Sequence, residues 1–278
     1  MSASSKARRI DKYHFAQQLA HYMQHGYVVF RQLMSANEIA AIDKHVERIY
    51  SDWYQQNEAD IFTYKMVNMH SLTLPEYFEE CVSQRVTFFD LLAGDKLVRV
   101  LDTLFGEGLY FHNTQLFFNP TNPERLPYWH RDMQYSDLDD AQLAAEQNNM
   151  LSLHVRIPLT DETGVELIGG SHKRWDTELE RNVRLQLNGH TDNEPLPNSK
   201  LISLATGDVL IFNAQMIHRG NYSQNASRKA LDLCIGKYHR LTAGALDKRV
   251  LPSEEEMLKL KHRSWFRLAA NIGNTPST

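Results

Sequence analysis

The pattern of apolar and polar positions changes character about a third of the way along this 278-residue chain. Residues 11–25 read as a polar helix stopped by Gly26, and YVVFR at Tyr27–Arg31 reads as a strand. Ser35 stands where an N-cap belongs, with Glu38 at the reciprocal capping-box position. Ile39, Ile42, Val46 and Ile49 follow at helical spacing, which predicts a helix to about Tyr50. Two further helices are predicted around 84–92 and 95–105, the second ending at Gly106. From about Leu109 the runs shorten. LYFHNTQLFFN, YWHRDMQY, MLSLHVRIPL, DVLIFN and KALDLCIGKYH are rich in β-branched, aromatic and alternating residues, and turn formers such as NPTNPERLP, TGD and NYSQNAS separate them. A last helix is predicted around 253–268. This is the pattern of a single, mainly β domain with flanking helices: a helical N-terminal part over about 1–106, then a β-barrel or jelly-roll core over about 107–240.

Composition narrows the partners. With 42% hydrophobic residues the chain can bury a sizeable core, and no stretch approaches the roughly 18 apolar residues of a membrane span. The first residues, MSASSKARRI, lack the apolar stretch of a secretory signal, and TPST at the other end is not a peroxisomal address. Two cysteines, Cys81 and Cys234, are too few for a disulfide framework or a thiolate metal cage. A net charge of −4 and a pI near 6.3 give no electrostatic footprint for nucleic acid. The expectation is a cytoplasmic protein with a small-molecule partner, binding neither nucleic acid nor membrane.

The stretch PYWHRDMQY carries the first chemical signal. On a strand, residues i and i+2 point to the same side, so His130 and Asp132 would present an imidazole nitrogen and a carboxylate oxygen to one point. A lone HxD is common, and a third ligand decides its meaning. His218 follows the predicted strand GDVLIFNAQMIH, and the chain then turns into another strand. If that hairpin is centred on Ser223, His218 and Arg228 lie five residues either side and face each other about 5 Å apart. Two histidines and a carboxylate on one face of iron leave three positions open, which suit a bidentate 2-oxo acid and O2. A nearby arginine can hold the far carboxylate of 2-oxoglutarate through two parallel bonds.

Taken with these residues, the chain resembles the phytanoyl-CoA dioxygenase family of Fe(II)/2-oxoglutarate-dependent oxygenases from about Gly26 to Gly236. GYVVF with the helix start SANEIAAI, WHRD, GVELIGGSHKRWD and GDVLIFNAQMIHRGNYSQNASRKAL each resemble a family segment. The resemblance implies a double-stranded β-helix, a cupin-like jelly roll with iron at its mouth. It implies His130, Asp132 and His218 as metal ligands and Arg228 as the 2-oxoglutarate anchor. It places Ser152 where ectoine hydroxylase-like members put a serine on the co-substrate, and Asn113 and Gln115 where members place an amide or basic contact. Gly169 replaces the usual proline of a PGSH turn, and Gly220 stands where some members have a co-substrate serine, so that contact must come from elsewhere. The implied reaction is hydroxylation of an unactivated carbon with release of succinate and CO2. Halogenases of the family replace the carboxylate ligand with a small residue, so Asp132 argues for oxygenation.

For the substrate, Tyr128, Trp129 and Tyr135 flank the ligands, and alternation makes at least one of them core packing. Tyr135, His154 and Arg156 are candidate substrate contacts, with Lys65 and Asn68 near the mouth. A basic pocket residue would favour an anionic substrate, and a salt bridge to a nearby carboxylate is the competing role. Arg131 and Arg219, adjacent to ligands, should point away from the metal. Two other enzymes fit less well or equally: a cupin acting without 2-oxoglutarate, against which the absence of HxH argues, and a protein or peptide hydroxylase with the same triad.

Overall fold

A computed structural model of the chain describes residues 15–79, 81–244 and 246–273. Helix α1 (residues 15–25) ends at Gly26, and the predicted stretch 11–14 lies outside the described residues. Gly26 has φ 82° and packs so closely on His172 that a Cβ would meet its Nδ1 at 2.4 Å, so both conformation and space demand glycine. Strand β1 (Tyr27–Phe30) follows, then α2 (Ala36–Thr63). Ser35 and Glu38 form the predicted capping box at the start of α2. The helix runs well past Tyr50, because the next residues contain neither glycine nor proline. Trp53 and Ile61 extend its packed face, Trp53 against Phe118. Strand β2 (Asn68–His70) precedes α3 (Val82–Leu92) and α4 (Asp95–Phe105), which Gly106 caps.

The remaining strands are β3 (Leu109–Phe118), β4 (Ser152–Pro158), β5 (Glu162–Ile168), β6 (Ser199–Leu204), β7 (Val209–Asn213), β8 (His218–Arg219) and β9 (Lys229–Lys237). Short helices α5 (Asp140–Glu146) and α6 (Glu178–Arg184) interrupt them, and α7 (Arg240–Ala243), α8 (Glu254–Lys259) and α9 (Ser264–Asn271) end the described chain. The single helix expected over 253–268 is therefore two. Leu260 turns extended between them, where the Lys261 N–H donates to Asp90 and His262 meets Asp95, tying the break to α3 and α4.

A six-stranded antiparallel sheet, in order β1-β7-β4-β9-β3-β2, faces a three-stranded sheet, β6-β5-β8. The fold is a jelly roll, with β1 and β2 from the helical N-terminal part forming both edges of the large sheet. Period-2 alternation sorts the large sheet's residues. Leu153, Val155, Ile157, Val209, Ile211, Leu231, Leu233 and Ile235 join the core under the helices. The other face, toward the small sheet, is apolar at one end, where Leu210 and Phe212 pack with Val165, Leu167 and Leu204. At the other end it carries Gln115, His154, Arg156 and Asp232. A strand with aliphatics on one side and charges on the other has a wet or reactive side, and that side faces a cavity.

Candidate active site

His130 and His218 are fixed side by side by their own backbones. Each N–H donates to the other's carbonyl at 3.0 Å, and the ring centroids lie 4.1 Å apart. The stretch around His130 is not the strand expected from YWHRDMQY. Beyond this one bridge the chain turns into a 3₁₀ segment, Asp132–Tyr135, so i, i+2 alternation does not bring Asp132 to His130. The Asp132 N–H instead donates to Ala214 O at 3.2 Å. Between His130 and Asp132 the Arg131 side chain goes the opposite way, as expected, into a buried nest of Asp176 and the carbonyls of Ser171, Gln215 and Arg174. That guanidinium staples together the segments that end at each ligand. Ser171 adds a second staple, donating to Ile168 O at 2.7 Å and accepting from Ile217 N–H at 2.9 Å, one residue before His218.

The ring nitrogens are oriented for a metal. Nδ1 of His130 lies 3.1 Å from Tyr128 O and Nδ1 of His218 lies 3.0 Å from Met216 O. A carbonyl only accepts, so each Nδ1 carries its hydrogen and each Nε2 presents a lone pair. Burial lowers both imidazole pKa values, that of His218 to about 3 with His130 beside it, so both rings are neutral near pH 7. Asp132 Oδ1 lies 3.8 Å from His130 Nε2 and 3.4 Å from His218 Nε2. Burial alone would raise the Asp132 pKa, but His154, whose Nε2 lies 2.6 Å from Oδ2, outweighs it and holds the carboxyl ionised. Among the described residues these three form the one group whose donor atoms converge this way, all within 4.8 Å of one another. Two neutral imidazoles and a carboxylate fit a divalent transition ion held on one face.

Arg228 reaches the same cavity by another route than the one predicted. There is no β8–β9 hairpin: β8 pairs with β5, and β9 pairs with β3 and β4, so His218 and Arg228 are not cross-strand neighbours. Asn221 and Asn225 both donate to Thr163 O, which pulls the intervening loop across β5. Arg228 is buried just before β9, its Nε donating to Glu162 Oε1 at 2.7 Å, its guanidinium near the rings of Phe117 and Tyr222. Among the described residues neither terminal nitrogen has a hydrogen-bond partner, so the outer fork faces the cavity unspent. A Cβ at Gly220 would stand 3.1 Å from Nη1 and 2.8 Å from Tyr222, so glycine keeps this fork clear.

The cavity, about 360 Å³, is of small-molecule size. Gln115 lines it as anticipated, and Asn68 donates to Gln115 Oε1 at 3.3 Å and lies 3.1 Å from His70 Nε2. Ser152 and Asn113 are not on its wall. Ser152 sits at the far end of β4, and the Asn113 amide donates to Ser71 Oγ at 3.0 Å. Tyr128 and Tyr135 wall the cavity, whereas Trp129 is core, its Nε1 donating to Glu194 O. His154 and Arg156 line it too, but both are committed to carboxylates. His154 lies between Asp132 (2.6 Å) and Asp232 (3.1 Å), and Arg156 binds Glu162 and Asp232. On the cavity wall their polar atoms are thus already paired with carboxylates. Arg219 pairs with Glu166 and Lys65 with Glu124. Asp232 and Glu162 were missed by the sequence reading. Their signal was a carboxylate inside, or beginning, an aliphatic strand run.

Fold and site together define a class, the jelly-roll oxygenases built around a two-histidine, one-carboxylate centre. Comparison with known proteins makes the assignment specific. The phytanoyl-CoA dioxygenase family model matches residues 22–230, and the chain belongs to that family. It is an Fe(II)/2-oxoglutarate-dependent oxygenase. The chain is similar to an ectoine dioxygenase of Sphingopyxis alaskensis, 24% identical over 229 residues that cover 74% of this chain and 70% of that protein. Among solved structures it resembles apo EctD from S. alaskensis, with a TM-score of 0.57 at 20% identity over 90% of this chain and 82% of that one. HygX from Streptomyces hygroscopicus, with nickel and 2-oxoglutarate bound, gives 0.55 at 15% identity over 80% and 86%. Among the described residues no helix is long and apolar enough to cross a membrane.

Proposed function

We propose that this protein hydroxylates an unactivated carbon of a small molecule, consuming 2-oxoglutarate to succinate and CO2. The observation that carries the reading is the pairing, in one cavity, of the His130–Asp132–His218 cluster with the unpartnered fork of Arg228. His130 and His218 would hold iron through Nε2, and Asp132 through Oδ1. Arg228 would take the far carboxylate of 2-oxoglutarate with two charge-assisted bonds, and Gln115 would offer its amide from the same wall. Bound iron and 2-oxoglutarate supply the oxidising chemistry. The chain's own contribution is placement and exclusion of water. Phe117, Phe212 and Tyr222 form an aromatic wall, and Tyr128 and Tyr135 flank His130.

The substrate sits beside this centre, and the side chains left to meet it are Tyr135, Tyr128, His70 and Asn68. With Arg156 and His154 both neutralised by carboxylates, neither supplies a basis for preferring an anion. Succinate production tests the reading: protein supplied with Fe(II), 2-oxoglutarate and candidate small molecules in air should release succinate equal to hydroxylated product. Asp132→Ala should abolish both. Hydroxylated product formed without 2-oxoglutarate would overturn it.

A further inference from the structure

The cluster that would hold the metal and the arginine that would hold the co-substrate are joined by an unbroken buried chain of charged contacts. Asp132 Oδ2 meets His154 Nε2 at 2.6 Å, and His154 Nδ1 meets Asp232 Oδ2 at 3.1 Å. Asp232 Oδ1 accepts from Arg156 Nη1 at 2.8 Å. Arg156 grips Glu162 with Nε and Nη2 at 2.8 and 2.7 Å, and Glu162 Oε1 accepts from Arg228 Nε at 2.7 Å. The four intermediate side chains are at most 4% exposed. Two paired strands of the large sheet and one of the small sheet supply them: β4 gives His154 and Arg156, β9 gives Asp232 and β5 gives Glu162. In β4 and β9, Arg156 faces Asp232 directly across the ladder, so the sheet's register itself sets the joint.

The contact at Asp132 has a chemical consequence. A carboxylate can give a metal one oxygen or two. Here Oδ1 is the atom turned toward both ligand nitrogens, while Oδ2 is taken by His154. His154 cannot rotate away, because its other nitrogen is held by Asp232 and its ring stacks on Phe212 at 4.9 Å. We propose that His154, braced by Asp232, is a positioning residue that restricts Asp132 to one-oxygen coordination, keeping open the position that 2-oxoglutarate needs as a two-atom chelate. The Asp232–Arg156–Glu162 relay sets Arg228 in the same frame, so one rigid assembly spaces the metal from the carboxylate clamp. This deepens the oxygenase reading and rests on it.

The role separates from simple structural support because it predicts opposite effects on two ligands. Freed from His154, Oδ2 can close onto the metal, which holds metal affinity steady or raises it while 2-oxoglutarate loses a position. His154→Phe keeps the ring and its stack on Phe212 but removes both nitrogens. His154→Gln restores one donor toward Asp132. Co(II) is the probe metal, since its visible spectrum reports coordination, and 2-oxoglutarate is titrated into the Co(II)-loaded protein. In His154→Phe, 2-oxoglutarate affinity should fall about tenfold or more, equivalent to about 1.4 kcal/mol of lost binding. The Co(II) affinity should not fall, its spectrum should change before 2-oxoglutarate is added, and His154→Gln should recover part of the loss. If His154→Phe does not fold, Asp232→Asn, which loosens His154 from behind, must show the same split in smaller measure. Equal losses of metal and 2-oxoglutarate binding, or no change in either, would overturn the proposal. Failure of wild-type protein to bind 2-oxoglutarate would instead strike the oxygenase reading beneath it.

Discussion

Arg228→Lys tests the clamp at the level of a single fork. Arg228 spends its Nε on Glu162 and turns Nη1 and Nη2 to the cavity, with Gly220 leaving them clear. Two parallel bonds to the far carboxylate of 2-oxoglutarate are what this geometry offers. A charge-assisted bond contributes about 1.5–3 kcal/mol, so a lysine that keeps the charge but loses one arm should weaken 2-oxoglutarate roughly 10- to 100-fold. Arg228→Ala loses both arms and should cost more. Glu162 keeps two bonds from Arg156 in either variant, so the carboxylate behind the clamp is not orphaned and the protein should fold. The assay is calorimetric titration of 2-oxoglutarate into Co(II)-loaded protein, run beside 2-oxobutyrate, which has the same chelating end and no far carboxylate. Wild type should prefer 2-oxoglutarate strongly, and the preference should shrink in Arg228→Lys and vanish in Arg228→Ala. Weakening of both oxo acids to the same extent would refute the reasoning, because the arginine would then be supporting the metal end.

Three further outcomes follow from neighbouring contacts. Gly220→Ala should reduce 2-oxoglutarate affinity severalfold and leave Co(II) binding alone, because the new Cβ would press on Tyr222 and the Arg228 fork. Arg131→Met should lower stability by about 3–5 kcal/mol, roughly 10 °C in thermal unfolding, since it strips a buried guanidinium from Asp176 and three carbonyls. Glu162 is fully buried, and although burial would raise its pKa, Arg156 and Arg228 lower it from 4.5 to about 2. A depressed carboxyl adds stability that is whole above 4.5 and lost as the pH falls through about 2. The advantage of wild type over Glu162→Gln in urea unfolding, about 3 kcal/mol near neutrality, should therefore shrink between those limits and not at higher pH.

The legible parts of this chain were those where local rules act alone. The capping box at Ser35 and Glu38, the glycine stops at Gly26 and Gly106, and the strands within LYFHNTQLFFN, MLSLHVRIPL, DVLIFN and KALDLCIGKYH stand where the pattern put them. The residue types at His130, Asp132 and His218 were also readable as a possible metal-binding set, but the reason they converge was not. The pattern suggested a strand and a hairpin. The chain instead uses a local 3₁₀ turn together with a single backbone bridge and the buried Arg131 staple, the last two being contacts between residues about 40 to 90 positions apart. Long-range pairing also decided what the strand charges do. Arg156 and His154 were visible as polar residues among aliphatics, yet only the β4–β9 register and the placement of Glu162 pair them with carboxylates. Asn113, named by resemblance to the family, instead donates to Ser71 Oγ, a partner that long-range strand pairing brings to it.

The central claim is that one cavity holds iron through His130, Asp132 and His218 and 2-oxoglutarate through Arg228. Anaerobic addition of Fe(II) and then 2-oxoglutarate to metal-free protein tests it most directly, through the weak visible charge-transfer band of the chelate. Wild type should show a band that is absent in Asp132→Ala and recovers in Arg228→Ala only at much higher 2-oxoglutarate. Iron that binds without any such band, or a band indifferent to both substitutions, would contradict it.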